Sequence, residues 1–423
     1  MNQRRYFNVE FRSGRQVLFR KKFVPDCFYI YCSCAPVCAP SEKHIVYNVP
    51  NGEENMKRII KIVLTGGPCG GKSSAISFLE AELKKRGIAV LTAPETAAEL
   101  FAQGKSPQKN GSYNFHRELF SIQLKREKEL EGKAAALPGD KAVILLDRGL
   151  LDSMAYTDHA DFERYCAEFS QSEDKLRSSY DAVFHLVTAA KGAEDFYTID
   201  GTIRTESLEP ARRLDSKLIS VWTGTPHLRM IDNSTDFDGK LKRLLNEVLA
   251  VVGDPEPIEI ERKFLIEMPE LSLLENMEAC RKVTIEQAYF QTKEDGKFRI
   301  RKRGSGEQAV YIKTVKKKLN EMSRIEIEEE IPREEYDRLL LEKNGMFGII
   351  VKDRYCFVSG SQYFELDVFP FWTDRAVLEL ELLSEDQSFT LPDIVKPIKE
   401  VTNDKNYKNS VLSQRYRFLF DRS

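Results

Sequence analysis

Residues 66–73 read GGPCGGKS, which fits the spacing G-x-x-x-x-G-K-[ST]. Glycines allow a backbone to wrap closely around a phosphate group, and the N–H groups at the start of a following helix attract its negative charge. In such a loop Lys72 reaches the terminal phosphates, and the Ser73 hydroxyl can ligate Mg²⁺. The motif predicts a nucleotide-binding loop made of Gly66, Gly67, Pro68, Cys69, Gly70, Gly71, Lys72, Ser73 and Ser74.

Two acidic side chains could complete a phosphoryl-transfer site around this loop. Asp147 ends an apolar run, where a carboxylate can order Mg²⁺, and Arg148 follows it directly. Glu95, in APET, is a candidate base for a phosphoryl acceptor, so that Glu95 and Lys72 are candidate catalytic residues. The alternative for each is an ordinary solvated residue.

Candidates for closing the site and for holding a base lie further along the chain. Arg204 and Arg212 belong to IRTESLEPARRLD, which could form a lid over the phosphates. Asn233 follows an apolar strand, at a position where a purine base is often held. These side chains could also be solvated surface residues.

The second half of the chain carries charges at every second position, and in a strand such positions share one face. The first example is EIERK, where Glu259, Glu261 and Lys263 alternate with apolar neighbours. A solvated side of an antiparallel sheet explains any single such face. Because acidic and basic charges are segregated between strands, a barrel with a charged lumen explains the set better. Basic strands would bind phosphates, and acidic strands would bind a divalent metal.

Two predicted domains would position the candidate site residues. Apolar strands alternating with helices predict a P-loop domain at 58–252, with a parallel sheet whose fifth strand is Leu228–Ile231 and with helices on both faces. GDPEP at 253–257 is typical of a linker. Period-two runs from 258 to 418 predict an α+β domain with an antiparallel β tunnel barrel, with helices expected near 333–343 and 270–280.

The composition, 42% hydrophobic and 31% charged, is that of a soluble globular protein. A net charge of −2 gives the whole molecule no electrostatic attraction to nucleic acid or to a membrane surface. No apolar run approaches 18 residues, so no transmembrane helix is expected. Residues 1–57 are basic and contain cysteines, and we expect them to be poorly ordered. A mitochondrial presequence or a basic membrane-binding arm are alternatives. We expect a cytoplasmic protein, with peripheral membrane contact left open.

Both halves resemble known families. Residues 58–250 resemble the nicotinamide-riboside-kinase-like branch of P-loop proteins through GGPCGGKS, APET, LLDRG and HLRMIDN. Residues 257–416 resemble the CYTH, or triphosphate tunnel metalloenzyme, superfamily through EIERKFLI, FRIRKR, YIKT, SRIEIEEEIP, KDRY, FELDVF, LELEL and KEVTNDKNYKNS, in that order. The CYTH resemblance implies phosphate contacts from Lys263, Arg299, Arg301, Lys313, Arg354, Lys399 and Lys405. It implies one or two Mg²⁺ or Mn²⁺ ions at Glu259, Glu261, Asp367, Glu379 and Glu381, with Glu381 also a catalytic candidate and with Glu326 and Glu328 lining the tunnel.

A P-loop domain of this branch followed by a tunnel domain resembles the family of the TRPL translocation defect protein. That resemblance implies binding of a guanine nucleotide and of phosphoinositides, and a role in membrane-protein trafficking. The residues do not select GTP over ATP, and they leave the oligomeric state open. Three functions remain open: a trafficking regulator that binds a nucleotide and a polyphosphate or phosphoinositide headgroup, a metal-dependent triphosphatase, and a small-molecule kinase. Nucleic acid is not an expected partner.

Overall fold

A computed structural model describes residues 19–24, 27–32, 57–197, 207–254, 260–291, 297–318, 324–342, 347–382 and 387–416. The chain divides into two compact units, Met1–Met56 and Lys57–Ser423. In the first unit, strands β1 (Phe19–Val24) and β2 (Cys27–Cys32) pair in antiparallel fashion. The other residues of that unit lie outside the described part, so the prediction of poor order stays a prediction.

The amino-terminal half of the second unit contains a five-stranded parallel sheet. Its order is β4-β5-β3-β6-β7, and the strands are apolar because both faces are covered by helices. The strands are β3 (Arg58–Thr65), β4 (Ala89–Ala93), β5 (Lys141–Asp147), β6 (Ala182–Leu186) and β7 (Leu228–Ile231).

Eight helices accompany this sheet among the described residues. They are α1 (Lys72–Lys85), α2 (Thr96–Ala102), α3 (Pro107–Asn110), α4 (Ser112–Ala136), α5 (His159–Glu168), α6 (Glu173–Ser178), α7 (Leu208–Trp222) and α8 (Phe237–Val252), with 3-10 turns at Leu150–Ala155 and Glu194–Phe196. One core packs Ile62 and Leu64 of the sheet with Leu79 of α1 and Leu244 of α8. The core on the other face includes Trp222, the last residue of α7.

The carboxy-terminal half contains a nine-stranded antiparallel sheet of order β12-β11-β10-β9-β13-β14-β15-β8-β16. The strands are β8 (Ile260–Glu267), β9 (Cys280–Gln291), β10 (Lys297–Arg303), β11 (Val310–Lys318), β12 (Arg324–Glu330), β13 (Ile349–Ser359), β14 (Gln362–Val368), β15 (Arg375–Leu382) and β16 (Pro397–Glu400). Its helices are α9 (Leu271–Glu275), α10 (Arg333–Leu341) and α11 (Asn409–Arg415), with 3-10 turns at Gly306–Gln308 and Lys405–Tyr407. The predicted fold class, an α/β P-loop domain and an antiparallel β domain, is confirmed.

The nine-stranded sheet curls. In a flat sheet, β9 and β8 would lie about 19 Å apart, because four strand spacings separate them. Tyr289 on β9 nevertheless interacts electrostatically with Arg299 and Arg301 of β10 and also with Lys263 of β8. The charged face of the sheet is therefore concave, and we call it the inner face. On the opposite face, residues such as Phe264, Leu366 and Leu378 form an apolar core.

The two halves of the second unit share a packed junction. Val283 and Ile285 of β9, together with Tyr363 of β14, join the apolar core that contains Trp222. The Tyr363 hydroxyl donates to the Thr225 carbonyl at 3.1 Å. The P-loop domain and the β domain therefore pack against each other through one continuous apolar core.

One expectation about secondary structure was wrong. The helix expected at 270–280 is the short α9, and the strand β9 that follows it was missed. Of the sequence predicted to form a lid, the described part lies in helix α7 from Leu208 onward. Within the described residues, no helix combines the length and apolar character needed to cross a bilayer.

Candidate phosphate-binding sites

The loop between β3 and α1 has the geometry that a phosphate cradle needs. Gly66 has φ 135° and Gly71 has φ 86°, values that L side chains rarely adopt. A Cβ on Gly66 would lie 2.1 Å from the Leu186 carbonyl oxygen, and one on Gly70 would lie 2.6 Å from the same atom. The glycines at these positions are thus required by close packing against β6 as well as by backbone conformation.

Lys72 lies buried at the first turn of α1. Its Nζ donates to the carbonyl oxygens of Gly66 at 2.9 Å and Gly67 at 3.0 Å. Burial, followed by the positive charge of Arg148, lowers the pKa of Lys72 to about 8. The ammonium group is therefore held over the loop where the phosphates of a nucleotide are expected.

Ser73 and Asp147 form the corner expected to hold Mg²⁺. The Ser73 hydroxyl donates to Asp147 Oδ2 at 3.1 Å. Asp147 Oδ1 is buried and has no hydrogen-bond partner among the residues that the structure describes. Burial raises the pKa of Asp147, against the opposing charge of Lys72. Hydroxyl and carboxylate oxygens with one orphaned acceptor fit a hard divalent cation.

Glu95 and Arg148 lie together beside the loop. Arg148 Nε donates to Glu95 Oε1 at 2.6 Å, and Arg148 has a positive φ of 74°. The sequence analysis missed Asp152, which is buried and accepts hydrogen bonds from Thr65 Oγ1 at 2.5 Å and from the Gly149 N–H at 2.8 Å. Asp152 also lies 3.5 Å from Arg148 Nη1, so it helps to hold that side chain.

A second missed group is the buried pair of His185 and Asp215. Asp215 accepts from the Gly67 N–H at 3.0 Å and from His185 Nε2 at 2.9 Å, and it is also 3.0 Å from Lys191 Nζ. Although burial opposes it, the charge of His185 holds the pKa of Asp215 well below its usual range. This carboxylate fixes the start of the phosphate loop. The sequence signal was a histidine inside the apolar strand AVFHL.

The remaining nucleotide-site candidates have structural partners or cannot be placed. Arg204 lies outside the described residues. Arg212 lies on α7, where its Nε donates to the Ala190 carbonyl at 2.6 Å. The Asn233 amide donates to the carbonyls of Thr188 at 2.9 Å and Lys191 at 2.7 Å. The Asn233 side chain therefore holds a loop beside the P-loop, and its amide donors are not directed at a base.

The inner face of the curled sheet carries a network of alternating charges. Strand register places Lys263 opposite Glu379, and Glu379 opposite Glu365. Lys263 Nζ lies 2.8 Å from Glu379 Oε1 and 2.9 Å from Glu261 Oε1. Arg354 Nη2 donates to Glu379 Oε2 at 2.8 Å. Although burial opposes them, Lys263 and Arg354 hold the pKa of Glu379 well below its usual range.

The same network continues along β13 and β14. Arg354 Nε donates to Asp367 Oδ1 at 2.7 Å, and Lys352 pairs with Asp367 from the same strand as Arg354. Asp367 is fully buried, which is tolerated because both of its oxygens are paired. Lys352 was missed by the sequence analysis, although its position two residues before Arg354 places it on the same face.

Arg299 and Arg301 contribute positive charge on β10. Arg299 donates to Thr314 Oγ1 and to Glu328 Oε1, each at 3.2 Å. Arg301 Nε is buried and has no hydrogen-bond partner within the described part of the chain. Burial, followed by the nearby charge of Arg299, lowers the pKa of Arg301 to about 10. A buried guanidinium nitrogen without a protein acceptor needs one from a bound ion, ligand or water.

Three predicted phosphate contacts do not join this network. Lys313 lies opposite Ile300, so it points to the outer face, where its Nζ lies 5.1 Å from the centre of the Phe298 ring. The period-two rule places Lys313 on the face opposite Thr314 and Arg299, which corrects its expected position. Lys399 is exposed and pairs with Asp404 at 3.3 Å, and Lys405 is exposed in a 3-10 turn.

The acidic side chains of the predicted metal site lie close together but are paired with cations. Glu261, Glu365, Glu379 and Glu381 line one cleft. Burial, and then the neighbouring Glu379, raises the pKa of Glu261. In the part of the chain that is described, no three Asp, Glu, His or Cys side chains are arranged to hold a metal ion, and Glu259 lies outside that part. Carboxylate oxygens are suitable ligands for Mg²⁺ or Mn²⁺. Binding of the metal ion would require these carboxylates to exchange their present Lys and Arg partners for it.

The fold and the two sites define a P-loop protein joined to a curled antiparallel sheet, and the basic side chains on the inner face of that sheet suit phosphate groups. A model described as AAA domain matches residues 61–240, and one described as CYTH domain matches residues 257–410. An inorganic triphosphatase from Nitrosomonas europaea is 35% identical over 161 residues, which is 37% of this chain and 96% of that protein. Through residues 257–410 the chain belongs to the CYTH family, preceded by an AAA-type P-loop domain.

Solved structures give similar matches. A crystal structure of an inorganic triphosphatase is 31% identical, with a TM-score of 0.27, and the match covers 37% of this chain and 95% of that chain. A deoxyadenosine kinase from M. mycoides with bound dATP is 18% identical, with a TM-score of 0.33, and the match covers 45% of this chain and 98% of that chain.

Proposed function

We propose that the CYTH domain binds a triphosphate together with a divalent cation and hydrolyses its terminal phosphoanhydride bond, while the P-loop domain binds ATP or GTP. The observation that carries the proposal is Arg301, whose buried Nε lacks an acceptor beside the paired charges of Lys263 and Arg354. An anion with several phosphates supplies acceptors for all three cations. The similarity to an inorganic triphosphatase supports the same substrate class.

The chemistry follows from the charge network. Phosphate oxygens would replace Glu261 and Glu379 as partners of Lys263 and Arg354. The released carboxylates of Glu261 and Glu379, together with Glu381 and Glu259, would then hold the cation. When bound, the cation screens the phosphate oxygens and lowers the pKa of a coordinated water. Arg301 and Arg299 would hold the chain of phosphates in line. Attack of water on the terminal phosphorus breaks one P–O bond and yields phosphate and diphosphate.

The test is phosphate release from inorganic triphosphate, ATP and GTP with Mg²⁺ or Mn²⁺. We would compare the wild-type chain, Lys72→Ala and Glu379→Gln/Glu381→Gln. The proposal predicts that release is lost in the tunnel variant and kept in Lys72→Ala, which in turn should lose nucleotide binding. Release that disappears only with Lys72→Ala would move the activity to the P-loop domain.

A kinase reaction is a second candidate because an aromatic cluster lies beside Glu95 and Arg148. The partly exposed Tyr156 ring lies 5.7 Å from the Arg148 guanidinium and stacks 6.1 Å from His116. Burial lowers the pKa of His116 to about 4, so that its ring is neutral at physiological pH. A flat acceptor such as a nucleoside suits this surface. Acceptor-dependent formation of ADP, abolished by Glu95→Gln, would support a kinase, and ADP formation that ignores added acceptors would exclude it.

Membership of the TRPL translocation defect family, with phosphoinositide binding and a trafficking role, stays a prediction. The paired charges on the inner face suit a polyphosphorylated headgroup as well as a triphosphate. If no substrate releases phosphate, inositol polyphosphates become the leading ligands. Competition between inositol hexakisphosphate and inorganic triphosphate, lost in Arg301→Ala, would then identify the inner face as their site, and an unchanged affinity in that variant would exclude it.

A further inference from the structure

Arg229 extends from the P-loop domain into the acidic cleft of the CYTH domain. It lies on β7, the edge strand of the parallel sheet, and its Nη2 donates to Glu381 Oε2 on β15. Its Nε lies 3.8 Å from Glu247 Oε2 of α8. The Arg229 side chain is only 13% exposed, whereas Glu381 is 41% exposed. The guanidinium is therefore fixed inside the P-loop domain, and Glu381 is the side chain it holds.

Among the described residues, the contacts of Glu381 all involve one of its two oxygens. Oε2 accepts the hydrogen bond from Arg229 and lies 3.7 Å from His227 Nδ1. This differs from Glu379, both of whose oxygens are paired with cations of the CYTH domain. Arg229 therefore holds Glu381 through Oε2, and no side chain in the described part of the chain pairs with Oε1.

Glu381 lines a small cleft where the two domains meet. Arg229 and Pro226 form the P-loop side of the cleft, and Glu261, Glu365, Glu379, Leu380, Glu381 and Tyr363 form the CYTH side. Its volume is about 20 Å³, which is enough for at least one water molecule or metal ion, and its four carboxylates favour a cation over an anion at this wall.

We propose that Arg229 is a positioning residue of the tunnel's divalent-cation site, so that the P-loop domain completes the site of the CYTH domain. The inference rests on the proposed function, since it assumes that Glu379 and Glu381 hold the cation. Arg229 holds Glu381 through Oε2 and so fixes this carboxylate in the wall of the cleft. Partners that orient a metal ligand in this way typically change metal affinity 10–100-fold when they are removed.

Mn²⁺ binding to the full chain without nucleotide tests this, by calorimetry and by the electron paramagnetic resonance signal of free Mn²⁺. We expect Arg229→Gln to weaken Mn²⁺ binding about 10-fold or more, and Arg229→Lys to restore part of the loss because it retains the charge. Glu381→Gln alone should weaken binding similarly. Adding Arg229→Gln to Glu381→Gln should then cost no further affinity, because the two residues act as one unit.

A matched control comes from the same junction. Arg281 of the CYTH domain pairs with Glu173 at 2.8 Å and Asp174 at 3.2 Å in the P-loop domain, and these contacts do not involve the acidic cleft. Arg281→Ala should loosen the junction and leave Mn²⁺ affinity unchanged. Thermal unfolding of every variant shows whether the fold is retained.

Three results would overturn the proposal, and they are distinguishable. Wild-type Mn²⁺ affinity in Arg229→Gln, with weakened binding in Glu381→Gln, would show that Arg229 has no positioning role. An equal loss in Arg281→Ala would show that junction packing is responsible. Unchanged affinity in Glu379→Gln/Glu381→Gln would remove the metal site itself, and with it both this inference and the metal part of the proposed function.

Discussion

The phosphate-loop lysine should make nucleotide binding depend on pH in a measurable way. Burial and the adjacent Arg148 lower the pKa of Lys72 from 10.5 to about 8. That difference corresponds to about 3 kcal/mol in favour of the neutral amine while no phosphate is bound. A bound triphosphate requires the ammonium form, because only the charged group offsets the negative phosphates. Nucleotide binding should therefore raise the pKa of Lys72 and draw a proton from solution.

The expected size of the effect follows from titration of a single group. Affinity for Mg-ATP or Mg-GTP should fall about tenfold between pH 7 and pH 9, and binding near pH 8 should take up about half a proton. Calorimetric titration in buffers of different ionisation enthalpy measures both quantities. Lys72→Ala should bind weakly at every pH and show no such uptake. A wild-type affinity that is flat from pH 7 to pH 9, with no proton uptake, would refute the reasoning.

Folding stability should respond to the same group with the opposite sign. In the unfolded chain Lys72 has its ordinary pKa, so between about pH 8 and pH 10.5 the unfolded state binds more protons than the folded state. The contribution of Lys72 to the free energy of unfolding therefore rises with pH across that window. The difference in thermal midpoint between wild type and Lys72→Ala, followed from pH 7 to pH 10, isolates this contribution. A difference that does not change with pH would contradict the assigned burial.

Other substitutions test the two sites separately. Arg301→Ala should weaken binding of inorganic triphosphate 10–100-fold, the loss of about 1.5–3 kcal/mol expected for a charged hydrogen bond, with the thermal midpoint unchanged or raised because a crowded charge is removed. Isothermal titration and thermal unfolding check both, and an unchanged affinity would place the phosphates elsewhere. Lys313→Ala should leave triphosphate affinity as in wild type, because Lys313 lies against Phe298 on the outer face; a loss as large as that of Arg301→Ala would contradict the strand register. Gly70→Ala should abolish nucleotide binding and preserve phosphate release by the CYTH domain, because its Cβ would lie 2.6 Å from the Leu186 oxygen; fluorescent-nucleotide titration measures this, and retained affinity would count against the rigid loop.

Strands with uniform surroundings were predicted well from the sequence. The buried strands of the parallel sheet have apolar residues on both faces, so that β7 was predicted at its observed bounds of Leu228–Ile231. In contrast β9 was missed, because its inner face changes character along its length. Val283 and Ile285 pack against the P-loop domain, while Gln287 and Tyr289 lie further along the inner face with the charged groups. Neither a clean alternation nor a continuous apolar run results.

The site residues that were predicted correctly belong to local motifs, and those that were missed depend on contacts between distant segments. Lys72 and Ser73 were recognisable because the loop motif is a local arrangement of backbone and helix start. The hydrogen bond from Gly67 to Asp215, and the contact of Asp215 with His185, could not be predicted from the sequence. The reason is that α7 and β6 come close to the phosphate loop only in the folded chain. Similarly, an asparagine at position 233 is a suitable residue for holding a base. In the folded chain, however, its side-chain amide donates to carbonyl groups that are distant in the sequence.

The sequence by itself determined the two frameworks and the alternating charges of the inner face, because loop motifs and period-two patterns are properties of neighbouring residues. The tertiary structure decided which charges meet. Lys263 contacts Glu379 through strand register, and Glu381 contacts Arg229 of the other domain through the packed junction. Such pairs depend on the distances in space between segments that are more than a hundred residues apart in the sequence. Those distances cannot be predicted from the spacing of residues along the chain.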